Sequence, residues 1–481
     1  MTGARCDHVA KVARLFPIPS LLFAAACSQS PVTPPSPPDP LKAMARSLSI
    51  VRSATPESPR VLRVLFYGQS ISTPQWTDQA LARLRTTYPD VTFDARNLAL
   101  GGFDALRLER TTERDIADFY PDLIVFHVYG DHRAYERIIR LFRSKTAADI
   151  IVQTDHVTTM PEPVCDEGIH LRWSPPPGCK GHFRFKQRNW EDFMSSVWVP
   201  TMASKYDLAM EPRRQEWAAY LTAHKLEPKA LIADMPHPNE RGWALMANLF
   251  TNWFEGLVAR SDGRPPAVAA VQSLTPPAPG RRQRYSFEGN RIELVAAGPL
   301  DGKVRVTIDG KAPQDLDGCW LDSRVSRLPN VPDWPALSRV TVDPAYHKTD
   351  TWMIRVSKLD AKQEKFDFTL GSTAGGADGT GKADESFSSP SGRVKIEPQD
   401  WVLSYAMAKA RKGVPEGTTM SWSRRFICGD QPAVALAGGG MEQRHLIATG
   451  LSNGRHEVEI EATENAPKIA EIRTYKPSLV N

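Results

Sequence analysis

A hydroxyl, an imidazole and a carboxylate pose the chemical question in this chain. Asp234 and His237 stand three residues apart, directly after the apolar run Ala230 to Ala233, and Pro238, Asn239, Glu240, Arg241 and Gly242 follow. An imidazole takes and returns protons near neutral pH, and a carboxylate beside it holds one tautomer and stabilises the charged form. Such a base needs a nucleophile. Ser70 is the candidate, because the apolar stretch from Val61 to Tyr67 runs into Gly68-Gln69-Ser70. A small glycine lets the chain turn sharply and leaves the hydroxyl at the carboxyl edge of a sheet, where ligands bind in open α/β folds. Taken alone, Ser70 reads more readily as the end of a strand or the cap of the next turn.

Elements must bring these groups together. After the Asp–His turn, Pro238 stops any earlier helix and Asn239 can cap a new one. Trp243, Met246, Leu249, Phe250, Trp253 and Leu257 recur at helical spacing and give that helix one buried face. Upstream, strand-like runs at 91–96, Asp122–Tyr129, Asp149–Gln153 and Ala230–Ala233 alternate with helical patterns at about 77–88, 104–119 and 133–145. Alternation at this spacing predicts a parallel sheet covered on both faces, a flavodoxin-like α/β layer structure. Leu123 to Phe126 is continuously apolar, as a central parallel strand should be.

Over about residues 61–258 these segments resemble the SGNH (GDSL-type) hydrolase family. Its first block appears as Gly68-Gln69-Ser70, its second as Asn97-Leu98-Ala99-Leu100-Gly101-Gly102, its third in altered form as Gly130-Asp131-His132-Arg133, and its last as Asp234-Met235-Pro236-His237. The resemblance implies an esterase in which Ser70 attacks an acyl carbon, His237 takes its proton and Asp234 orients the imidazole. The backbone N–H groups of Ser70 and Gly102 would stabilise the oxyanion. Where the family offers an Asn amide in the third block, this chain has His132, whose ring N–H can donate in its place. A register slip of one puts Asp131 there, and a carboxylate cannot donate. The plainer reading makes Asp131-His132 a cap for the helix that begins near Arg133.

The resemblance implies neither cofactor nor metal. A rival reading does use a metal: Asp131-His132, Asp155-His156 and Asp234 with His237 each follow a strand-like run, and carboxylates with imidazoles hold divalent ions that activate water. An irregular insertion at about 158–187 carries five prolines, Cys165 and Cys179, with Trp173, Phe183 and Phe185. A loop this long is expected to wall the substrate pocket.

Six cysteines are present, at 6, 27, 165, 179, 319 and 428. Setting aside the first two, four remain and allow three pairings, of which Cys165–Cys179 with Cys319–Cys428 is the simplest. Arg5, Lys11 and Arg14 precede an apolar run, Leu15 to Ala26, too short to span a bilayer. Its end, Ala24-Ala25-Ala26-Cys27, resembles a bacterial lipoprotein signal, and cleavage after Ala26 by an ordinary signal peptidase stays open. Residues 1–27 are thus expected to be a signal, with Cys27 a possible lipid anchor in the outer membrane facing periplasm or cell surface. Residues 28–60 read as a proline-rich linker, stiff and extended up to about Pro40. A net charge of +5 on 481 residues, with both signs mixed, makes no case for a nucleic-acid partner.

A hydrolase domain is therefore expected over 61–260, a second linker over 261–280, and an accessory domain over 281–481, where short alternating strands with turns at Asp309-Gly310 and Asn453-Gly454 predict an antiparallel β-sandwich. Its strand-turn pattern resembles jelly-roll modules of carbohydrate esterases. Residues 371–393, rich in Gly and Ser, read as a mobile loop. Trp320, Trp334, Trp352, Trp401 and Trp422 read as core residues before a sugar platform. The expected function is an exported serine esterase that removes acyl groups, acetyl foremost, from a polysaccharide or small ester. Its alternatives are a carbohydrate-binding protein on a decayed hydrolase scaffold, or the metal-dependent hydrolase.

Overall fold

Nine residues, Arg60–Gly68 (β1), form the spine of the α/β layers because their apolar side chains are buried on both faces. The computed structural model describes residues 35–158, 191, 193–266, 270–296, 298–329, 331, 334–437 and 439–479. Strands Val91–Asn97 (β2), Leu123–His127 (β3), Asp149–Gln153 (β4) and Ala209–Glu211 (β5) join β1 in one parallel sheet ordered β2-β1-β3-β4-β5. That is the flavodoxin-like order, and its reversal point lies where β1 meets β3. Helices Pro74–Thr87, Ala105–Phe119 and His132–Lys145 occupy the three expected stretches.

The expected strand at 230–233 does not enter this sheet. Ile232–Asp234 instead pairs with His237–Pro238 as a short hairpin. Asn239 holds it locally: its backbone N–H donates to the Leu231 carbonyl at 2.9 Å and its side chain to the Ala230 carbonyl at 3.0 Å. The place at the sheet edge goes to Ala209–Glu211, whose three residues are too few to show a period. Part of the expected linker is also helical. Pro40–Ala43 and Ala45–Arg52 bury Met44 and Leu48 completely. Arg46 pairs with Asp122 at 2.5 Å, and the Ser47 N–H donates to Asp149 at 2.7 Å, fixing these turns to the sheet.

The later chain forms two β bodies where one sandwich was expected. In the first, Arg291–Ala296 pairs with Met441–Ala448 and Ile469–Tyr475, while Gly454–Ala462 lies between Val304–Ile308 and Arg282–Gly289. Phe287, Ile292, Leu294, Val458, Ile460 and Ile472 share its core. Cys319–Cys428 is a disulfide, as expected; Cys27, Cys165, Cys179 and most of the insertion lie outside the described residues. Between Ile308 and Gly429 the chain builds the second body. It has a five-stranded sheet running from Trp320–Asp322 through Thr419–Phe426, Asp350–Ser357 and Asp367–Ser372 to Gly376–Lys382, a three-stranded sheet, and the helix Leu403–Ala410. The stretch expected as a mobile loop supplies strands Gly376–Lys382 and Phe387–Ser388, with Phe368 edge-on to Phe387 at 5.0 Å. Trp334, Trp352, Trp401 and Trp422 are buried, as the core reading required, whereas Trp320 is only half-buried.

The described residues belong to one compact unit. One apolar cluster runs from Leu65, Tyr67 and Phe126 of the parallel sheet to Trp334, Leu337 and Trp352 of the second β body. A separate cluster, with Phe66, Trp76 and Phe250, covers the opposite face. No helix among the described residues is long and apolar enough to cross a membrane.

Candidate active site

β1 ends at Gly68, and only glycine fits there. A Cβ would come within 1.9 Å of the His127 carbonyl oxygen on the neighbouring strand and 2.6 Å of Ser72 Oγ. The chain therefore crosses close over β3 and turns into a short 3-10 segment, Ser70–Ser72, that presents Ser70 at the carboxyl edge of the sheet. From 167 residues further on, the Asp234–Pro238 hairpin brings His237 Nε2 to 2.9 Å from Ser70 Oγ. On the other side of the ring, His237 Nδ1 stands 2.5 Å from Asp234 Oδ1. With Nδ1–H donated to the carboxylate, Nε2 is left as the acceptor that faces the hydroxyl. The helix Glu240–Arg260 starts directly behind, capped by Asn239, whose side chain accepts from the Gly242 N–H at 3.0 Å.

The glycine-rich turn after β2 lies beside the serine. Leu98 and Leu100 N–H groups donate to the Phe66 and Gly68 carbonyls at 3.0 and 2.9 Å, carrying the chain along β1 past its end. Asn97 braces the two turns: its side chain donates to the Ser72 carbonyl at 2.7 Å and accepts from the Ala99 N–H at 3.1 Å. A Cβ on Gly101 would stand 4.0 Å from the Ser70 Cβ. Among the described residues, the N–H groups of Ser70 and Gly102 have no protein acceptor. Both N–H groups are thus uncommitted, and a donor without a protein partner is available to an oxyanion.

His132 occupies a different setting from the one expected. It opens the helix His132–Lys145, which Asp131 caps by accepting from the Ala134 N–H at 2.8 Å. The ring packs edge-on to Phe193 and Trp198, and Nε2 lies 3.1 Å from the Met194 sulfur in a π-helical turn. Burial lowers its pKa to about 4, against the opposing pull of Asp131, so the ring is neutral at pH 7. The helix-cap reading therefore holds for Asp131, whereas His132 is buried and not part of a solvated pair.

The three Asp–His pairs do not merge into one cluster that could hold a metal ion among the described residues. Asp155 is buried below the site, where its Oδ1 accepts from Tyr129 Oη at 2.8 Å and lies 3.4 Å from His127 Nε2 and 3.1 Å from His156 Nδ1. Burial alone would raise the pKa of this carboxyl, but the hydrogen bonds and charge of the two histidines outweigh it and hold Asp155 well below the usual carboxylate range. His156 Nε2 donates to the Pro236 carbonyl at 2.7 Å, inside the Asp234–His237 hairpin. Among the described residues no group of three His, Cys, Asp or Glu side chains is placed to hold a metal ion.

The residues least visible in the sequence come from the second β body. Trp334 Nε1 donates to the Gly101 carbonyl at 2.6 Å, and Tyr405 Oη donates to the Gly102 carbonyl. Arg324 reaches the Leu98 carbonyl at 3.2 Å. Nothing local marks these three, because their partners lie more than two hundred residues away.

No family model matches the chain, and no curated protein does. Among solved structures it is similar to a two-domain esterase (CEX) active on acetylated mannans, co-crystallised with mannopentaose, at 13% identity and a TM-score of 0.34 over 92% of this chain and 97% of that one. The acetyl xylan esterase AlAXEase gives 16% identity and a TM-score of 0.30, over 40% of this chain and 99% of that one. A variant of Axe2, an acetyl xylan esterase from Geobacillus stearothermophilus, gives 15% and 0.31, over 42% and 97%. Superpositions this loose assign no residue a role, and the roles below rest on the geometry of this chain.

Proposed function

We propose that the protein is a serine esterase that removes acetyl or similarly small acyl groups from a saccharide. The observation that carries this reading is the 2.9 Å approach of His237 Nε2 to Ser70 Oγ with Asp234 at the far ring nitrogen. Ser70 Oγ attacks the ester carbonyl carbon as His237 Nε2 takes the hydroxyl proton, and the carbonyl oxygen gains negative charge. The Ser70 and Gly102 N–H groups donate to that oxygen, and Asp234 stabilises the imidazolium. The tetrahedral adduct collapses, the C–O bond to the alcohol breaks, and the alcohol leaves with the proton from His237. Water then attacks the acyl-serine, giving its proton to His237, and the acid departs as Ser70 regains its hydrogen.

Surface position favours an ester carried on a large molecule: the Asp234 side chain is 72% exposed and that of His237 38%. Two features support an exported protein, the leader-like residues before Cys27 and the buried Cys319–Cys428 disulfide, a bond that persists in oxidising compartments. A lipid anchor at Cys27 belongs to the same proposal. The test is purified protein on p-nitrophenyl acetate beside Ser70→Ala. Wild-type turnover with loss of at least about a thousandfold in the variant is expected. Equal rates for the two proteins would overturn the serine reading, and inhibition by chelator with Ser70→Ala still active would favour metal chemistry.

A further inference from the structure

The glycine-rich turn has a division of labour between its two sides. Its inward N–H groups at Leu98, Ala99, Leu100 and Phe103 are satisfied within the α/β layers. Its carbonyls at Leu98, Gly101 and Gly102 receive side-chain donors from Arg324, Trp334 and Tyr405, all in the second β body. The donors are themselves fixed. Trp334 and Tyr405 stack at 5.0 Å, and Phe103 lies edge-on to both. The Arg107 guanidinium sits 3.5 Å over the Tyr405 ring, and Arg324 pairs with Asp115 at 2.5 Å. Arg110 joins the same side of the helix Ala105–Phe119 to Asp400, with an Nη2–Oδ2 distance of 2.9 Å.

A peptide unit is planar and trans, so its C=O and N–H point in opposite directions. The Gly101 carbonyl and the Gly102 N–H belong to one such unit. Whatever holds the carbonyl also aims the N–H, and Trp334 holds the carbonyl. Gly102 has a φ of +83°, where side chains are disfavoured, and a Cβ there would meet the Trp334 ring at 2.8 Å. The tryptophan therefore lies against the turn as well as bonding it.

From this we infer that the second β body is part of the catalytic apparatus: Trp334 is a positioning residue that aims the Gly102 N–H at the oxyanion, and Tyr405, bonded to the next peptide unit and stacked on Trp334, is a positioning residue that fixes Gly102 from its other side. The inference rests on the serine esterase reading and goes beyond it, because it assigns the accessory region a task in the acyl-transfer step that is independent of any sugar binding. Burial raises the Tyr405 pKa, so the phenol stays protonated and able to donate at pH 7.

The test uses the full chain and compares wild type, Trp334→Phe, Tyr405→Phe and Ser70→Ala. Each is measured for kcat and KM on p-nitrophenyl acetate, for thermal melting, and for inhibition by methylboronic acid, whose tetrahedral adduct with serine puts an oxygen in the anion pocket. Complete removal of one oxyanion donor costs about a hundred- to a thousandfold, so loss of its aim should cost about tenfold in kcat with little change in KM. Boronate affinity should fall by the same factor in both Phe variants. Tyr405→Phe removes a single oxygen, so it decides the matter if Trp334→Phe does not fold. A folded Tyr405→Phe variant with kcat and boronate affinity within twofold of wild type overturns the inference, as does a loss confined to KM or to melting temperature. Ser70→Ala keeps the two proposals distinct: if it retains activity the serine reading itself fails, whereas an inactive Ser70→Ala beside an unaffected Tyr405→Phe removes the positioning role alone.

Discussion

Replacing His156 by Phe should lower turnover without touching the reacting atoms. His156 is fully buried against Trp217, with ring centroids 5.2 Å apart, and its Nε2 donates to the Pro236 carbonyl at 2.7 Å. Pro236 sits between Asp234 and His237, so this bond ties down the tip of the hairpin whose base Asn239 holds. Phe keeps the bulk of the ring, removes that donor and also removes the ring nitrogen that faces Asp155. Pro236 is half-buried, so its carbonyl left without a partner costs at most what a buried one does, about 1–3 kcal/mol. If the hairpin relieves that cost by moving away, the fraction of molecules with His237 on Ser70 falls by roughly five- to a hundredfold, at about 1.4 kcal/mol per factor of ten. The loss should appear in kcat on p-nitrophenyl acetate, with KM nearly constant. His156→Gln, whose amide can still donate to the carbonyl, should recover most of it. A folded His156→Phe protein with kcat within twofold of wild type would refute the anchoring argument, and so would a His156→Gln variant as slow as His156→Phe.

Two further outcomes follow from the same geometry. Gly102→Ala places a methyl group 2.8 Å from the Trp334 ring at a φ of +83°; steady-state kinetics should show a loss of about a hundredfold in kcat, with a melting shift equivalent to about 1–2 kcal/mol. His132 has a folded pKa of about 4, below its ordinary value, so between these limits the unfolded chain binds the extra proton and stability falls as pH drops. Urea unfolding at pH 7 and at about pH 4.5 should therefore show His132→Phe losing roughly 2–3 kcal/mol less than wild type over that interval.

What could be read from the sequence was whatever the chain encodes locally. Ser70 was legible because an apolar strand and a tight glycine precede it, and Asp234 with His237 because three residues separate them between an apolar run and a capped helix. Gly102 stood out within a glycine-rich turn. The central strands β1 and β3 announced themselves by continuous apolar runs, whereas Ala209–Glu211 was too short for any period, and Ala230 to Ala233 looked like a sheet strand until Asn239 folded it back. Residues 371–393 read as a loop because glycines are poor strand formers. In the structure a Cβ on Gly381 would collide with Phe368 and Phe387, so at least that glycine makes room for aromatic packing within a strand. His132 carried no local sign of the Phe193, Trp198 and Met194 side chains that enclose it. Trp334 reads from the sequence as core before sugar platform, and Tyr405 carries no local sign, since their partners Gly101 and Gly102 lie 233 and 303 positions away.

The central claim is that the Ser70 hydroxyl, deprotonated by His237, is the nucleophile. Treating the protein with a fluorophosphonate and mapping the adduct by peptide mass spectrometry tests it most directly. Stoichiometric labelling of the Ser70 peptide, strongly slowed in His237→Ala, is the predicted result. An unlabelled Ser70, or labelling that proceeds at the same rate without His237, would contradict it.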